Sequence, residues 1–363
     1  MSIKCIDLFS GCGGTTAGLK MAGIDVVSAV EIDKVASKTF HFNNPEIKLL
    51  VDDIRNISAN DVLEDVDIDL ESDRILLVAC PPCQGFSTIR QGGADDERNE
   101  LVFEYLRLIL EINPEYILME NVAGMSRGKG KKIFSSFCDK LRQKYEINFN
   151  ILNAADYGVP QIRKRLVLHG VRSDVYDKLK INNLTVELPK RTHSKTGEED
   201  GTDKWVNSDI IMDLPKLNAG EEFKDPNKKI FNHTSNGLSE LNIQRIKYIK
   251  EHGGNRDCLP EELKKNWHRD LRTHKDVYGI LDIARPAITI TGGCMQFSKG
   301  RFGHPRDNRA LSAREAARLQ SFDDEYRFFG SREQIAKQIG NAVPVKLAQA
   351  SGKYFSDIDK IIN

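Results

Sequence analysis

Two cysteines separated by two prolines follow an apolar run in the stretch RILLVACPPCQGFST, residues 74–88. A Cys-x-x-Cys spacing is found in redox pairs and zinc sites, and it also arises around a single reactive thiol. Polar residues rather than a helix follow here, and no second Cys-x-x-Cys supplies further metal ligands, so we expect no metal site. Cys80 continues the apolar run and suits an inert core position. Cys83 follows two prolines, which fix φ and hold its sulfur rigidly, as a nucleophile requires.

Acidic and basic side chains stand at the ends of other apolar runs. Glu120, in MENVAGM, could act as a proton donor if burial raises its pKa, or could serve only as a cap or ion-pair partner. Arg163 and Arg165, in PQIRKRL, alternate along a predicted strand and would share one face. They could hold a substrate carbonyl and lower the pKa of a nearby thiol, or simply form a basic strand edge. Asn341, in QIGNAVPV, by itself indicates a helix end or a turn.

A glycine-rich turn, DLFSGCGGTTAGL, places Gly11, Gly13 and Gly14 between a predicted strand and a helix. Glycines allow a tight turn and the close approach of a ligand, although turn chemistry alone would also explain them. Glu31 follows about 20 residues later at the end of the next strand, where an acid can bind ribose hydroxyls. The spacing differs from Gly-x-Gly-x-x-Gly, which favours a nucleoside-bearing cofactor other than a dinucleotide. Asp53 could bind an adenine amino group or could form a turn.

Apolar runs alternate with helical patterns as far as residue 171, which predicts an α/β fold with a doubly wound, mostly parallel sheet. Ligands of such sheets bind at the carboxyl ends of the strands, where the candidate residues lie. A polar, weakly periodic region follows at residues 182–274. RPAITITGG then predicts another strand, Ser312 and Glu315 predict a capping box, and Pro344 opens a last helix. The predicted strands are IKCIDLF, DVVSAVE, IKLLVDD, RILLVAC, EYILMEN, INFNILNA and KRLVLHGV.

Composition indicates a cytoplasmic protein with reduced cysteines, and the balanced net charge does not indicate a binding partner. The 363 residues carry 53 basic and 53 acidic side chains, and the odd number of cysteines, 7, argues for reduced thiols. No apolar run approaches the roughly 20 residues of a membrane span, and the start lacks a secretory pattern, so a cytoplasmic protein is expected. Basic residues cluster locally at 127–132, 163–165, 264–275 and 299–309, which is typical of solvated faces and would also suit a nucleic-acid groove.

Taken together and in order, these motifs resemble those of the cytosine-C5 DNA methyltransferases, which use S-adenosylmethionine. DLFSGCGG, EID, DDI, PPCQGFS, ENV, QIRKR, RPAITITGG and QIGNAVPV run from residue 7 to residue 345, with a gap at about 172–284. The resemblance implies a Rossmann-like methyltransferase fold with a smaller target-recognition domain. It also implies double-stranded DNA as substrate, a monomer, and a cognate restriction endonuclease as a candidate partner. A transfer-RNA methyltransferase and a non-catalytic DNA-binding relative are the alternatives.

The resemblance also assigns roles to individual residues. Cys83 would be the nucleophile that adds to C6 of cytosine, Glu120 the acid at N3, and Arg163 and Arg165 the groups that hold the base. The target base would be flipped out of the duplex, and residues 84–99 would close over it. Ile32 stands where several relatives carry an aromatic residue. The implied cofactor contacts are Phe9, Gly11, Gly13, Glu31, Ile32, Asp53, Ile54, Pro82, Leu101 and Asn341.

Four regions are expected along the chain. Residues 1–174 would form the catalytic, S-adenosylmethionine-binding domain, and residues 175–284 the small target-recognition domain. Residues 285–329 would be a return and hinge segment. Residues 330–363 would contain a C-terminal helix that packs back on the catalytic domain.

Overall fold

The computed structural model describes residues 2–69, 71–82, 100–199, 201–264 and 277–362, which divide into two compact units. The first unit consists of Met1–Tyr157, Lys164–Thr192 and Val343–Asn363, and the second of Gly158–Arg163 and His193–Ala342. The chain therefore leaves the first unit, builds the second, and returns for its last helix. The four-region division of the sequence stays a prediction.

A seven-stranded sheet forms the centre of the first unit, in the order β3-β2-β1-β4-β5-β7-β6. Only β7 runs opposite to the others, since it pairs antiparallel with both of its neighbours. The predicted α/β class with a mostly parallel sheet is confirmed. The strands are β1 (Ile3–Leu8), β2 (Asp25–Val30), β3 (Lys48–Leu50), β4 (Arg74–Ala79), β5 (Tyr116–Val122), β6 (Tyr145–Asn153) and β7 (Lys164–Arg172).

Helices cover both faces of this sheet, as the near-continuous apolar character of its central strands requires. One face packs against α1 (Gly14–Met21), α2 (Lys34–Asn43), α6 (Ser173–Ile181) and α10 (Val345–Ile362). The other packs against α3 (Ala59–Leu63), α4 (Leu101–Ile112) and α5 (Lys131–Leu141). No helix in the described ranges is both long enough and apolar enough to span a bilayer.

A β-bulge in β2 decides which way the residues after it point. Cys5 of β1 pairs with Val26, and the next residue, Ile6, pairs with Ser28, so β2 contains one extra residue. Because side chains alternate along a strand, one extra residue reverses the faces of everything that follows it. The bulge therefore sets the direction of Glu31, which stands directly after β2.

The last helix is fixed to the sheet by a buried polar group. Arg74 Nη1 donates to Asp359 Oδ1 at 2.8 Å and to the Tyr116 hydroxyl at 3.0 Å, and that hydroxyl donates to Asp359 Oδ1 at 2.8 Å. Gly18 of α1 allows α10 to approach closely, since a Cβ there would lie 2.6 Å from the Cβ of Ala348. The C-terminal helix is thus anchored to the central sheet and packed closely against α1.

Replacing Asp359 by alanine should lower the free energy of unfolding by about 3 kcal/mol, because it leaves the buried Arg74 guanidinium without the carboxylate that pairs with it. Urea denaturation followed by circular dichroism would measure the change. Asp357→Ala is the matched control, since this carboxylate lies on the same helix but is exposed, and its loss should cost under about 0.5 kcal/mol. Equal losses in the two variants would contradict a structural role for the buried group.

The second unit is mostly irregular, with α7 (Glu240–His252), α8 (Ala313–Leu319), α9 (Arg332–Asn341) and a two-residue strand pair, β8 (His193–Ser194) with β9 (Asp203–Lys204). This unit contains a buried ion pair, in which Arg309 donates to both carboxylate oxygens of Glu315 at 2.7 and 2.8 Å. The predicted capping box of Ser312 and Glu315 is confirmed at the start of α8.

The predicted strand in RPAITITGG is wrong. Among the described residues this segment makes a single isolated bridge, Ala287 to Gln161, and joins no sheet. The backbone of Ile290 forms its hydrogen bonds with the side chains of Gln161 and Arg163 and not with a neighbouring strand. Ile290 N donates to Gln161 Oε1 at 2.8 Å, and Ile290 O accepts from Arg163 Nη1 at 2.8 Å. The apolar pattern correctly indicated an extended, buried segment, but its polar backbone groups are satisfied locally.

Candidate active site

A glutamate and an arginine form an ion pair at the carboxyl edge of the first unit's sheet. Glu120 of β5 pairs with Val167, and Arg165 of β7 pairs with Val122, so the two side chains are diagonal neighbours on one face. Arg165 Nε lies 3.0 Å from Glu120 Oε1, and the two side chains are only 14% and 13% exposed. Burial lowers the pKa of Arg165, while the negative charge of Glu120 raises it. The pair therefore holds the carboxylate of Glu120 in a defined orientation.

Asn121, which sequence reasoning did not single out, fixes the chain that leads to Cys83. Its side-chain amide donates to the carbonyl of Pro81 at 2.9 Å, and its Oδ1 accepts from Val122 N at 2.8 Å. The side chain is buried, at 4% exposure. The segment two residues before the predicted nucleophile is thus fastened to the strand that carries Glu120. The only available signal was its place inside the ENV motif. Cys83 itself lies outside the described residues, as does the predicted closing loop at 84–99.

Cys80, the first cysteine of the Cys-x-x-Cys, has surroundings that keep its thiol protonated. Burial raises the pKa of the Cys80 thiol well above its usual value, and the carboxylates of Glu120 and Asp7 raise it further. Thr15 Oγ1 contacts its sulfur at 3.7 Å. A thiol that stays protonated at neutral pH is a poor nucleophile. These contacts support the interpretation that the two cysteines do not act as a pair.

The turn between β1 and α1 is organised around Glu31. Its Oε2 accepts from Gly11 N at 2.8 Å, and its Oε1 accepts from Asp33 N at 2.7 Å. Gly11 and Gly13 both have positive φ, +58° and +92°, which explains why glycines occupy this turn. Burial raises the pKa of Glu31, and the two backbone N–H groups oppose that rise.

The residues around this turn fit the nucleoside part of S-adenosylmethionine. A Cβ built on Gly11 would meet nothing within 4 Å, so the turn faces open space. Each Glu31 oxygen keeps a lone pair that can accept a ribose hydroxyl. Ile32 is 62% exposed and offers an apolar surface for a ring face. Asp53 accepts from Arg55 Nη2 at 2.6 Å and Nε at 3.0 Å, so an adenine amino group would share that carboxylate with Arg55.

The other predicted cofactor residues are distributed over both units. Phe9, at the end of β1, has a positive φ of 58°, and Ile54 is buried just after Asp53. Pro82 and Leu101 are half-buried. Asn341 is the last residue of α9 and belongs to the second unit. As a set, these cofactor contacts stay a prediction.

Arg163 differs from the expectation that it shares a strand face with Arg165. It precedes β7 and belongs to the second unit, so the strand alternation does not extend to it. Its guanidinium is 2% exposed and donates to the carbonyls of Ile290 at 2.8 Å, Gly340 at 2.9 Å and Ala342 at 3.2 Å. These bonds brace the residues on either side of Asn341. A direct contact of Arg163 with cytosine stays a prediction.

Asp7 should make the stability of the protein fall as the pH rises. Its Oδ2 accepts from Thr16 Oγ1 at 2.6 Å, but Oδ1 has no partner among the described atoms, and burial raises the pKa to about 7. The folded state keeps a proton that the unfolded state releases near pH 4. The free energy of unfolding therefore falls as the pH rises from about 4 to about 7.

The Asp7→Asn variant should remove that dependence. Between pH 5 and pH 8 its free energy of unfolding should rise relative to wild type by about 2 kcal/mol, measured by urea denaturation at each pH. Asp139→Asn, which changes an exposed carboxylate of α5, is the control and should track the wild type. Parallel profiles for wild type and Asp7→Asn would contradict a proton on Asp7.

Comparison with known proteins identifies the family. The family model for C-5 cytosine-specific DNA methylases matches residues 3–356. The chain is 33% identical over 360 residues to the type II methyltransferase M1.HphI of Haemophilus parahaemolyticus, covering 96% of this chain and 86% of that protein. It is also 33% identical over 399 residues to the type II methyltransferase M.DdeI of Desulfomicrobium norvegicum, covering 99% and 91%.

Solved structures agree with this assignment. A structure described as a DNA modification methyltransferase encoded within an E. coli prophage matches with a TM-score of 0.72 at 25% identity, covering 99% of this chain and 100% of that one. The S. pombe Dnmt2 methyltransferase, at 18% identity and a TM-score of 0.58, covers 99% of both chains and shows the shared fold. The family model and the type II relatives together confirm the resemblance predicted from the motif order: the chain belongs to the C-5 cytosine-specific DNA methylase family.

Proposed function

We propose that this protein transfers a methyl group from S-adenosylmethionine to C5 of a cytosine in a specific duplex DNA sequence, through a covalent bond between Cys83 and C6. The observation that carries the proposal is the position of Glu120. Arg165 holds its carboxylate, and Asn121, the next residue on the strand, holds the segment that leads to Cys83. The reaction needs an acid and a thiol, and β5 carries the acid and holds Pro81, two residues before the proposed thiol.

The chemistry follows from the low reactivity of cytosine at C5. The Cys83 thiolate forms a bond to C6 while Glu120 gives a proton to N3, which converts the ring into an enamine with a nucleophilic C5. S-adenosylmethionine, when bound, supplies an electrophilic methyl group. Loss of the C5 proton to a base, return of the N3 proton to Glu120 and cleavage of the C6–sulfur bond then restore the aromatic ring, the acid and the free thiolate. General acid catalysis of this kind contributes about 10²–10⁴-fold.

Arg165 serves this chemistry through charge and position. A free thiol is only a few per cent ionised at neutral pH, so a nearby guanidinium would favour the thiolate. The same guanidinium fixes Glu120, whose carboxyl group must point at N3 of the base. Arg163, bonded to three carbonyls, is in our proposal a positioning residue for the segment around Asn341.

Base flipping is part of the proposal because neither face of C6 is accessible inside a stacked duplex. Unstacking and unpairing one nucleotide costs a few kcal/mol. Residues 175–284 would read the target sequence and residues 84–99 would close over the flipped base. The basic cluster at 264–275 lies almost entirely outside the described residues, as does the loop at 84–99.

Transfer of a labelled methyl group to duplex DNA and to RNA is the direct test. We expect incorporation into DNA alone, and bisulfite sequencing of a methylation-free host that expresses the protein should locate the modified cytosines in one short sequence. Labelling of transfer RNA instead of DNA would replace the proposal with the RNA alternative. Labelling of neither substrate by a protein that still binds DNA would favour the non-catalytic alternative.

The remaining expectations concern the cellular setting. The type II designations of the relatives support a role in restriction–modification, with a cognate endonuclease that acts on the same sequence. We propose a monomer that works in the cytoplasm, where the cellular DNA would be its substrate.

A further inference from the structure

A cluster of positive charge follows the strand that carries Glu120. Residues 123–132, here called the basic loop, begin directly after β5 and end with the first two residues of α5. Arg127, Lys129, Lys131 and Lys132 lie in this loop, and the sequence contains no acidic residue between Glu120 and Asp139. Because β5 ends at Val122, the loop starts at the same edge of the sheet as the proposed catalytic acid.

The backbone of the basic loop is held in one shape. Two short 3₁₀ turns, Ala123–Ser126 and Gly128–Gly130, form it together with the first residues of α5, and Met125 of the first turn is fully buried in the core. Arg127 N donates to Gly124 O, and Gly130 N donates to Arg127 O, both at 3.2 Å. A Cβ on Gly130 would lie 2.6 Å from the carbonyl of Met125. The first turn also packs beside β7, the strand of Arg165.

The cations of this loop point to a ligand rather than to a role in folding. Arg127, Lys131 and Lys132 are exposed, and within the described part of the chain none of them forms an ion pair or a side-chain hydrogen bond. By contrast, the half-buried Arg107 of the first unit is paired with both Glu104 and Glu111. Like charges crowded on a rigid surface repel one another, so their placement needs another reason.

The first turn of α5 also indicates that these cations serve a ligand and not the stability of the fold. Its first turn contains Lys131 and Lys132 but no acidic residue, and Gly130 gives it no side-chain cap. Helix dipoles favour negative side chains at this end, so the two lysines weaken the helix that they begin. The proposed substrate, DNA, is a polyanion. Positive charges that lower local stability near the proposed catalytic acid are expected where DNA binds.

We propose that the basic loop binds backbone phosphates of the DNA next to the target cytosine, through Arg127, Lys131 and Lys132. The inference rests on the proposed function and adds a contact surface to it. Contacts of this kind position the duplex and carry no sequence information, so they leave the choice of target to the second unit. They also resist sliding of the duplex away from Glu120 while one base is unstacked.

The test is the salt dependence of DNA binding by the triple variant Arg127→Gln, Lys131→Gln, Lys132→Gln. Fluorescence anisotropy with a labelled duplex would give Kd over a range of salt concentrations. Each lost phosphate contact should reduce the slope of log Kd against log salt by about 0.9, so the slope should fall by about two to three. At 0.1 M salt we expect binding about 10- to 100-fold weaker, equally for duplexes with and without the target sequence.

Two further variants make the result specific. Lys144→Gln, Lys353→Gln, Lys360→Gln removes the same number of exposed charges elsewhere on the first unit and should leave the slope unchanged. Arg127→Lys, Lys131→Arg, Lys132→Arg keeps the charge and should restore the wild-type slope, which a purely structural role of these side chains would not predict. Thermal unfolding of each variant would confirm that it is folded.

The inference would be overturned if the Arg127, Lys131, Lys132 glutamine variant had the wild-type slope. It would also be overturned if the Lys144, Lys353, Lys360 glutamine variant lost as much slope. Weakened binding of an RNA duplex with unchanged binding of DNA would also overturn it. The proposed function is judged separately, by methyl transfer to DNA with the wild-type protein. An unaltered slope together with methylation of DNA by the wild-type protein would reject the phosphate contacts of the basic loop but not the proposed function.

Discussion

The Cys83→Ala variant is expected to lose methyl transfer to DNA entirely, at least 10³-fold below wild type, while Kd for the duplex changes by no more than about threefold. Without the sulfur no bond to C6 can form, and C5 of cytosine stays a poor nucleophile. Binding survives because phosphate and base contacts are made by other residues. Tritium transfer from labelled S-adenosylmethionine and fluorescence anisotropy on the same preparation would measure both quantities.

Cys80→Ala is the matched control for this prediction. Cys80 is three residues earlier, on the segment fastened by Asn121, and burial keeps its thiol protonated. We expect this variant to keep most of its activity, with at most a few-fold loss from imperfect packing. Equal inactivation of the two variants would favour a unit made of both cysteines, and full activity of Cys83→Ala would remove the covalent mechanism altogether.

The Glu120→Gln variant is expected to lower kcat by about 10²–10⁴-fold with little change in Kd for DNA. Glutamine keeps the shape of the side chain beside Arg165, but it has no acidic proton to give to N3. Single-turnover methyl transfer at saturating DNA would measure the effect on the chemical step alone. A loss below about tenfold would assign Glu120 a structural role at the strand edge.

Arg165→Lys provides the control for position. Lysine keeps the positive charge but cannot reproduce the planar guanidinium that lies 3.0 Å from Glu120 Oε1. If Arg165 acts by orienting Glu120, the lysine variant should lie between wild type and Glu120→Gln in kcat, and the double variant should be no slower than Glu120→Gln alone. Additive losses would show that the two residues act independently.

The sequence was sufficient for the parts of the fold that depend on continuous apolar runs. β4, RILLVA, is buried along its whole length, as a central parallel strand must be. Its end, together with those of β2 and β5, could therefore be located from apolar character alone. Because parallel strands end at one edge, Glu31 and Glu120 could be assigned to a common region from the sequence alone. Their chemical roles came from the motif order, which the family match supports.

Features that depend on partners distant in the chain could not be read in this way. The alternation of Arg163 and Arg165 predicted a shared face, but β7 begins only at Lys164, and the carbonyls that bind Arg163 come from residues 127 or more positions later. Asn121 showed no signal of its own, because the recipient of its hydrogen bond is a proline carbonyl 40 residues earlier. The bulge in β2 likewise follows from pairing with β1 rather than from composition.

The return of the chain to the first unit for α10 has a consequence for biosynthesis. The ribosome makes all of the second unit before residues 343–363, so the apolar sheet face that Phe355 and Ile358 cover stays open until those residues have been made. A fragment that ends at residue 342 should therefore expose this face and aggregate. Adding residues 343–363 as a separate peptide should keep the fragment in solution, as measured by the fraction that remains after centrifugation. The first unit would then be assembled from two separate chains.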